Sequence, residues 1–191
     1  SHQINLTGQI VPVKAVCEIA RERGIPVMVD GAHSFTQFEF KRDDIGCDYF
    51  GTSLHKWLLA PKGTGMLYVR REKIEGLWPM MAAPESMNAD IRKFEEIGTH
   101  SLAPYLAIGE AVAFHNAIGG KRKEARLRYL RDSWAKKLME LPNVRLHTSL
   151  DPGMSCAIGN VEIVGISPRA LADHLWNKHH ILVAPIEHEE Y

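Results

Sequence analysis

Val27-Met28-Val29-Asp30-Gly31-Ala32-His33 and, further on, Thr52-Ser53-Leu54-His55-Lys56 are the two segments from which the rest of this chain is read. Val27, Met28 and Val29 form a short apolar run, the pattern of a buried strand. Asp30 stands where such a strand ends, and Gly31 is expected to let the backbone turn sharply. In open parallel α/β sheets, ligands bind at the carboxyl ends of strands, so Asp30 stands where a functional carboxylate belongs. A second strand-like run, Cys47-Asp48-Tyr49-Phe50-Gly51, precedes Thr52 to Lys56. That segment sets two hydroxyls, an imidazole and an amine within five residues.

Upstream, Pro12 suits the first turn of a helix. Val13, Val16, Cys17 and Ala20 recur at helical spacing on one face, and Gly24 follows as the stop. With Ser1 to Gly8 read as a strand end and its loop, this is a strand–helix–strand crossover, the unit of a parallel sheet. Downstream, Phe35, Phe38 and Phe40 interleave with polar residues and read as packing. Pro61 to Gly65 is a turn, and Met66 to Val69 is a strand. The glycines of that turn lack the spacing of a phosphate-binding P-loop.

Residues 72–97, rich in Met, Pro and charge, predict an irregular connection. Residues 102–118 are almost wholly apolar and predict a buried helix, stopped by Gly119-Gly120. Leu127, Leu130, Trp134, Leu138 and Leu141 recur every three or four residues among charges, the pattern of an amphipathic helix. Strands are expected at 144–147, 157–164 and 181–183, with a helix begun by Ser167-Pro168 between the last two.

The 191 residues are 45% hydrophobic, enough for a sizeable core in one or two domains. Lys and Arg balance Asp and Glu at 23 each, which gives no electrostatic case for nucleic acid or an anionic membrane surface. No run reaches the length of a membrane span. Cys17, Cys47 and Cys156 are an odd, widely spaced set, which fits a reducing compartment, and a cytoplasmic location is expected. Of ten histidines only His179-His180 and Glu187-His188 cluster, neither in the spacing of a zinc helix, so no metal site is expected.

The strand ending in Asp30-Gly31-Ala32-His33, with Ser53-Leu54-His55-Lys56 placed so that Lys56 follows Asp30 by 26 residues, resembles the class V aminotransferase family. These are pyridoxal 5'-phosphate (PLP) enzymes of fold type I, and their relatives include isopenicillin N epimerase-like proteins, cysteine desulfurases and selenocysteine lyases. The resemblance implies an α/β fold. Residues 1–120 would be the latter part of a PLP-binding large domain with a mainly parallel sheet, and residues 121–191 part of a small α+β domain.

It also implies roles. Lys56 would carry the cofactor as a Schiff base and serve as acid and base at the substrate carbon. Asp30 would hold a proton on the pyridine nitrogen by opposite charge. His33 would contact the ring hydroxyl or stack nearby, and Ser53 and His55 would bind the phosphate. Asn5, in Asn5-Leu6-Thr7-Gly8, either reaches the ring hydroxyl or substrate or is a turn residue. Gly98 and Thr99 either reach a second subunit's phosphate in a homodimer or start the next helix, with Thr99 or Ser101 as its N-cap.

A phosphate loop and a ring-stacking residue are expected before this stretch, and a substrate-carboxylate Arg after it. The chain is therefore expected to be a piece of a longer enzyme, inactive alone. The substrate expected is a small molecule, an amino acid or amine, with aminotransferase or epimerase-like chemistry. Desulfurase or lyase chemistry and a non-catalytic relative remain alternatives. Against a desulfurase, the stretch from Ile181 to Tyr191 holds no Cys and no Arg, and the three cysteines fall in apolar surroundings where thiols are inert.

Overall fold

The computed structural model describes residues 1–187. Its contacts divide the chain into two compact units. One is Ser1–Gln3 with Ile10–Ala125, and the other is Ile4–Gln9 with the residues from Arg126 onward.

The first unit is organised on a three-stranded sheet. β1 (Met28–Asp30) runs parallel to β2 (Tyr49–Ser53), and β3 (Gly65–Val69) returns antiparallel along β2. β1 and β2 run parallel with Asp30 opposite Gly51, and Ser53 opposite Gly65 of β3, so the two polar carboxyl ends, Asp30 and Ser53, lie at the same end of the sheet. The expected strand before the first helix is reduced to a single bridge, Gln3 to Ile10. That extended segment is too short for a ladder, and its His2 amide instead donates to the Asp30 carbonyl at 2.8 Å.

α1 (Val13–Glu22) ends as the sequence predicts. Gly24 has φ +66°, its amide bonds to the Arg21 carbonyl, and the Ile25 amide reaches back to Ala20. Both orphan carbonyls are thereby satisfied in a Schellman motif. Val13 and Cys17 enter the core with Val29, Ile45, Cys47 and Phe50, while Val16 stays 48% exposed. α2 (Arg42–Ile45) is a single turn contributing Ile45 to that core. Phe35 and Phe40 pack against the core, and Phe38 and Phe40 meet the His2 ring edge-on.

Residues 71–95 form three short 3-10 turns (Arg71–Lys73, Glu85–Met87 and Ile91–Glu95). They are pinned by Lys93, 2% exposed, whose Nζ donates to the Ile74 and Asn88 carbonyls at 2.7 and 2.8 Å.

α3 (Ala103–Ile118) corrects an expectation. Only its Ala111 is buried, packing with Leu54, Leu58 and Ala60, while Ile108 packs partly against that cluster. Leu106 is 77% exposed, and Phe114 and Tyr105 are exposed as well. Apolar composition predicts burial only where a partner surface exists, and here one face alone meets one. Neither Thr99 nor Ser101 caps the helix; Leu102 takes the N-cap position with no side-chain bond.

α4 (Gly120–Leu138) follows Gly119, which has φ +85°. Its buried residues are Arg131 and Ala135, and Leu130 and Leu141 of the expected apolar seam are exposed. Arg131 is kept inside by the Asp132 carboxylate, 2.7–2.8 Å from two guanidinium nitrogens, and by the Ser155 hydroxyl. A buried charge is tolerated when it is paired and fully bonded in this way.

In the second unit β4 (Val144–Leu146) pairs antiparallel with β5 (Val161–Ile163), a shorter strand than expected. α5 (Pro168–His179) starts at Ser167, whose hydroxyl accepts the Ala170 amide at 3.2 Å. The strand expected at 181–183 is absent among the described residues. His180 turns left-handed at φ +55°, and the Ile181 amide is spent on closing the helix against the Leu175 carbonyl.

Candidate functional site

The site is built where β1 and β2 end side by side. Immediately after Asp30 the chain passes directly over Phe50. A Cβ at Gly31 would stand 2.1 Å from Phe50 Cζ, so glycine is needed there for close approach. The chain turns sharply here as expected, with the Ser34 and Phe35 amides closing on the Gly31 carbonyl, but Gly31 itself has no left-handed φ. Its carbonyl collects the Ser34 and Phe35 amides and the Ser34 and Thr52 hydroxyls, and its amide donates to Gly51 at 2.7 Å. The turn is thus tied to β2 from both faces.

That anchoring brings His33 to Lys56. The two side chains, 23 residues apart in sequence, meet with Lys56 Nζ 2.9 Å from His33 Nε2. The His33 pKa lies below its ordinary value, first because burial disfavours the imidazolium and then because the Lys56 charge repels it; Asp30 opposes this in part. A neutral imidazole bonded to an ammonium accepts through Nε2 and carries its proton on Nδ1. His33 Nδ1 is buried and has no hydrogen-bond partner among the described residues.

Asp30 is exposed at the strand end. Its Oδ1 accepts the Ala32 amide at 2.9 Å and its Oδ2 the Ser1 hydroxyl at 3.0 Å. Burial pulls its pKa up, but those two bonds and the Lys56 charge work against that, and the carboxyl stays below its ordinary value. Asp30 is therefore a carboxylate near neutral pH.

Ser53 ends β2, half-buried, and its neighbour Leu54 takes the Thr64 carbonyl as acceptor. His55 is exposed and its Nδ1 is 3.2 Å from that same carbonyl, which leaves Nε2 for a ligand. The loop carrying Lys56 is seated on α3 through Leu54, Leu58 and Ala111. The Lys123 ammonium also donates to the Trp57 carbonyl.

The structure thus gathers Asp30, His33, Ser53, His55 and Lys56 onto two adjoining strand ends and their loops. Gly98 and Thr99 are exposed, and among the described residues no hydrogen bond links them to this cluster; the nearest feature is His100 Nδ1 on the Gly98 carbonyl. Asn5 is an exposed turn residue of the second unit. Sequence reasoning gave no role to Ser34 and Gln37, which are buried and bonded around the turn, and did not foresee that the Thr52 hydroxyl donates to the Gly31 carbonyl. Ser34 and Gln37 carry no local signal beyond their closeness to Gly31 in sequence.

Cys17 and Cys47 are buried, and burial pushes both thiols above their ordinary pKa; Cys156 is buried too. Of the stretch from Ile181 to Tyr191 that bears on desulfurase chemistry, residues 188–191 lie outside the described residues, and so does His188 of the Glu187-His188 pair. Among the described residues no group of three His, Cys, Asp or Glu could hold a metal ion, and no helix is long and apolar enough to cross a membrane.

The donor set fits PLP. An amine is available for its aldehyde, a carboxylate for its ring nitrogen, and a hydroxyl and an imidazole for its phosphate. The orphaned His33 Nδ1 is a buried donor facing no acceptor, as expected of a side chain that meets a ligand.

Residues 1–185 match the family described as Aminotransferase class-V. The chain is 32% identical to an isopenicillin N epimerase of Streptomyces clavuligerus, over 98% of this chain and 51% of that protein. It is 30% identical to a probable cysteine desulfurase of Xylella fastidiosa, over 76% of this chain and 37% of that one. In fold it superposes on an apo cysteine desulfurase from Thermococcus onnurineus NA1 with a TM-score of 0.83 at 23% identity, covering 96% of this chain and 48% of the other. The chain spans about half the length of the isopenicillin N epimerases it matches.

Proposed function

This chain belongs to the class V aminotransferase family, whose members are PLP-dependent enzymes, and from that premise we propose that the whole protein acts on the amino group of an amino acid or amine, with Lys56 as the residue that carries the cofactor. The observation that supports it is the meeting of Lys56 Nζ with His33 Nε2 at 2.9 Å, beside a carboxylate kept ionised at Asp30.

When bound, PLP supplies an electron sink for charge released at the amino-bearing carbon. The chain's own residues do the rest. Asp30, as an anion, holds a proton on the heterocyclic nitrogen. Lys56 Nζ, once free, takes the proton from the substrate carbon and returns it. Both epimerisation and transamination begin with proton removal by this amine; they differ in whether a proton is returned to the same carbon from the opposite face, by a donor there, or to a different atom. Ser53 and the outward Nε2 of His55 bind phosphate, and His33 donates from Nδ1 to an oxygen of the ring.

Within this stretch, Cys17, Cys47 and Cys156 are all buried, and a desulfurising thiol must be exposed to attack sulfur, so none of the three is assigned that role and epimerase- or aminotransferase-like chemistry is the reading put forward. Gly98 and Thr99, exposed and unbonded to their own site, are assigned to the phosphate of a second subunit in a homodimer.

The test is reduction of the PLP-loaded full-length protein with borohydride, followed by peptide mapping. The label is expected on Lys56; label on Lys62, or on none, would sink the assignment. In the same protein, Thr99→Ala should weaken PLP binding by about 1.5–3 kcal/mol, the cost of losing a hydrogen bond to a charged group. An unchanged affinity there would count against the shared site. Turnover of L-cysteine to sulfide, abolished by Cys17→Ser, Cys47→Ser or Cys156→Ser, would reverse the choice of chemistry.

A further inference from the structure

His33 is held from behind. Its backbone carbonyl accepts a 2.6 Å bond from Gln37 Nε2. Gln37 is 0% exposed, and its Oε1 in turn accepts Gln3 Nε2 at 3.0 Å, Gln3 being 2% exposed. Gln3 sits in the bridge to Ile10, next to His2, whose amide is bonded to the Asp30 carbonyl. Two buried amides therefore connect the segment before α1 to the residue that faces Lys56.

Burying primary amides is costly unless they are bonded. Gln37 stands in a stretch with Phe35, Phe38 and Phe40, where Met or Leu would fill the same space without a polar group to satisfy. What the amide adds is direction. A donor fixed on the His33 carbonyl fixes the peptide plane, and with it the direction in which the imidazole leaves the backbone. The imidazole needs such a constraint, because it rests in an unfavourable state. With Nε2 accepting from Lys56, the proton sits on Nδ1, buried without a partner. An unconstrained ring would turn away and relieve that cost.

We propose that Gln37, oriented by Gln3, is a positioning residue that holds the His33 imidazole in place as the hydrogen-bond acceptor for Lys56 Nζ. Its functional meaning rests on the reading of Lys56 as the cofactor-bearing amine, while the geometry belongs to the chain without cofactor. Lys56 and Asp30 are the charged groups that act on His33. Neither belongs to the amide pair, so replacing an amide leaves the local charges unchanged.

The experiment is long-range proton–nitrogen NMR of the full chain labelled with 15N-histidine, without PLP, with His33 assigned by loss of its signals in His33→Gln. The unsubstituted chain is expected to show His33 as a single Nδ1–H tautomer. Gln37→Met, matched in volume but unable to donate, should lose that signature and give a mixture of both tautomers, as should Lys56→Met. A folded Gln37→Met that keeps the single Nδ1–H form overturns the proposal, because a residue that only packs would behave so. Should Gln37→Met fail to fold, Gln3→Met carries the same expectation, and a single tautomer there overturns it equally. Borohydride label missing from Lys56 would defeat the functional reading while leaving these spectra as they are, so the two failures are told apart.

Discussion

Gly31 and Gly109 lie in the same compact unit, yet a Cβ at Gly31 would stand 2.1 Å from Phe50 Cζ, whereas one at Gly109 would meet nothing within 4 Å. The contrast extends to their surroundings. Around Gly31, from Asp30 to Gln37, carbonyls are held by hydroxyls and amides from β2 and from the segment before α1. Around Gly109, α3 rests on the Lys56 loop through one narrow face, and its Leu106 and Phe114 stand in the open. The first region is over-determined and so can hold a strained arrangement such as the Lys56–His33 pair. The second is ordered by helical hydrogen bonds and a few contacts. A functional constellation needs the first kind of support, and segments of the second kind are those a further surface can still engage.

The largest effect should come from Gly31→Ala. A methyl inside the radius of a ring that is itself 1% exposed forces the turn off β2, and a loss of about 3 kcal/mol or more is expected in urea unfolding. A loss below about 1 kcal/mol would mean that the turn yields easily and that the contrast with α3 is false.

Next is a pH effect confined to the first region. His2, 6% exposed, has its pKa lowered from 6.5 to about 4, chiefly by burial. Between those values the unfolded chain binds a proton that the folded chain refuses. Stability is therefore complete above pH 6.5 and falls as pH drops towards 4, by about 2–3 kcal/mol. Unfolding free energies at pH 7 and pH 4.5 should differ accordingly, and His2→Phe should shrink the difference. An equal slope in that variant would place the effect elsewhere.

Lys93→Met tests how the segment leading towards α3 is held. Two carbonyls, of Ile74 and Asn88, lose their shared donor, and about 1–3 kcal/mol should go, while amide exchange rises first in residues 74–95. Uniform exchange across the unit would show that this segment is as tightly coupled as the turn.

The smallest effect, of opposite sign, is Gly109→Ala. With open space at the Cβ position in mid-helix, it should stabilise by up to about 1 kcal/mol. Destabilisation there would reveal a contact on α3 that the present chain does not show.

Much of this was legible in the sequence because it is local. An apolar run ending in Asp, a hydroxyl-imidazole-amine segment after a second run, a helix stopped by Gly24 and one begun at Ser167-Pro168 each depend on neighbours in the chain. Each appears where the residues predict it. The strand expected from Met66 to Val69 is there as well, although its antiparallel pairing with β2 was not legible in the residues. Where the reading failed, the deciding partner was distant in sequence. Gly31 is required by Phe50 and not by its own φ, and Ser34 and Gln37 are buried although they alternate with aromatics. Arg131 lies inside because Asp132 and Ser155 meet it, while α3 lies open because composition does not supply a partner surface.

The sequence by itself determined the residue types of the site, their order and the strand ends that carry them, since backbone propensity and turn chemistry act over a few residues. Only the tertiary structure decided that Lys56 Nζ meets His33 Nε2 across 23 residues, and that two buried glutamines stand behind that imidazole. Hydrogen-bond geometry and close packing are settled to tenths of an ångström by atoms the chain brings together only after it has folded.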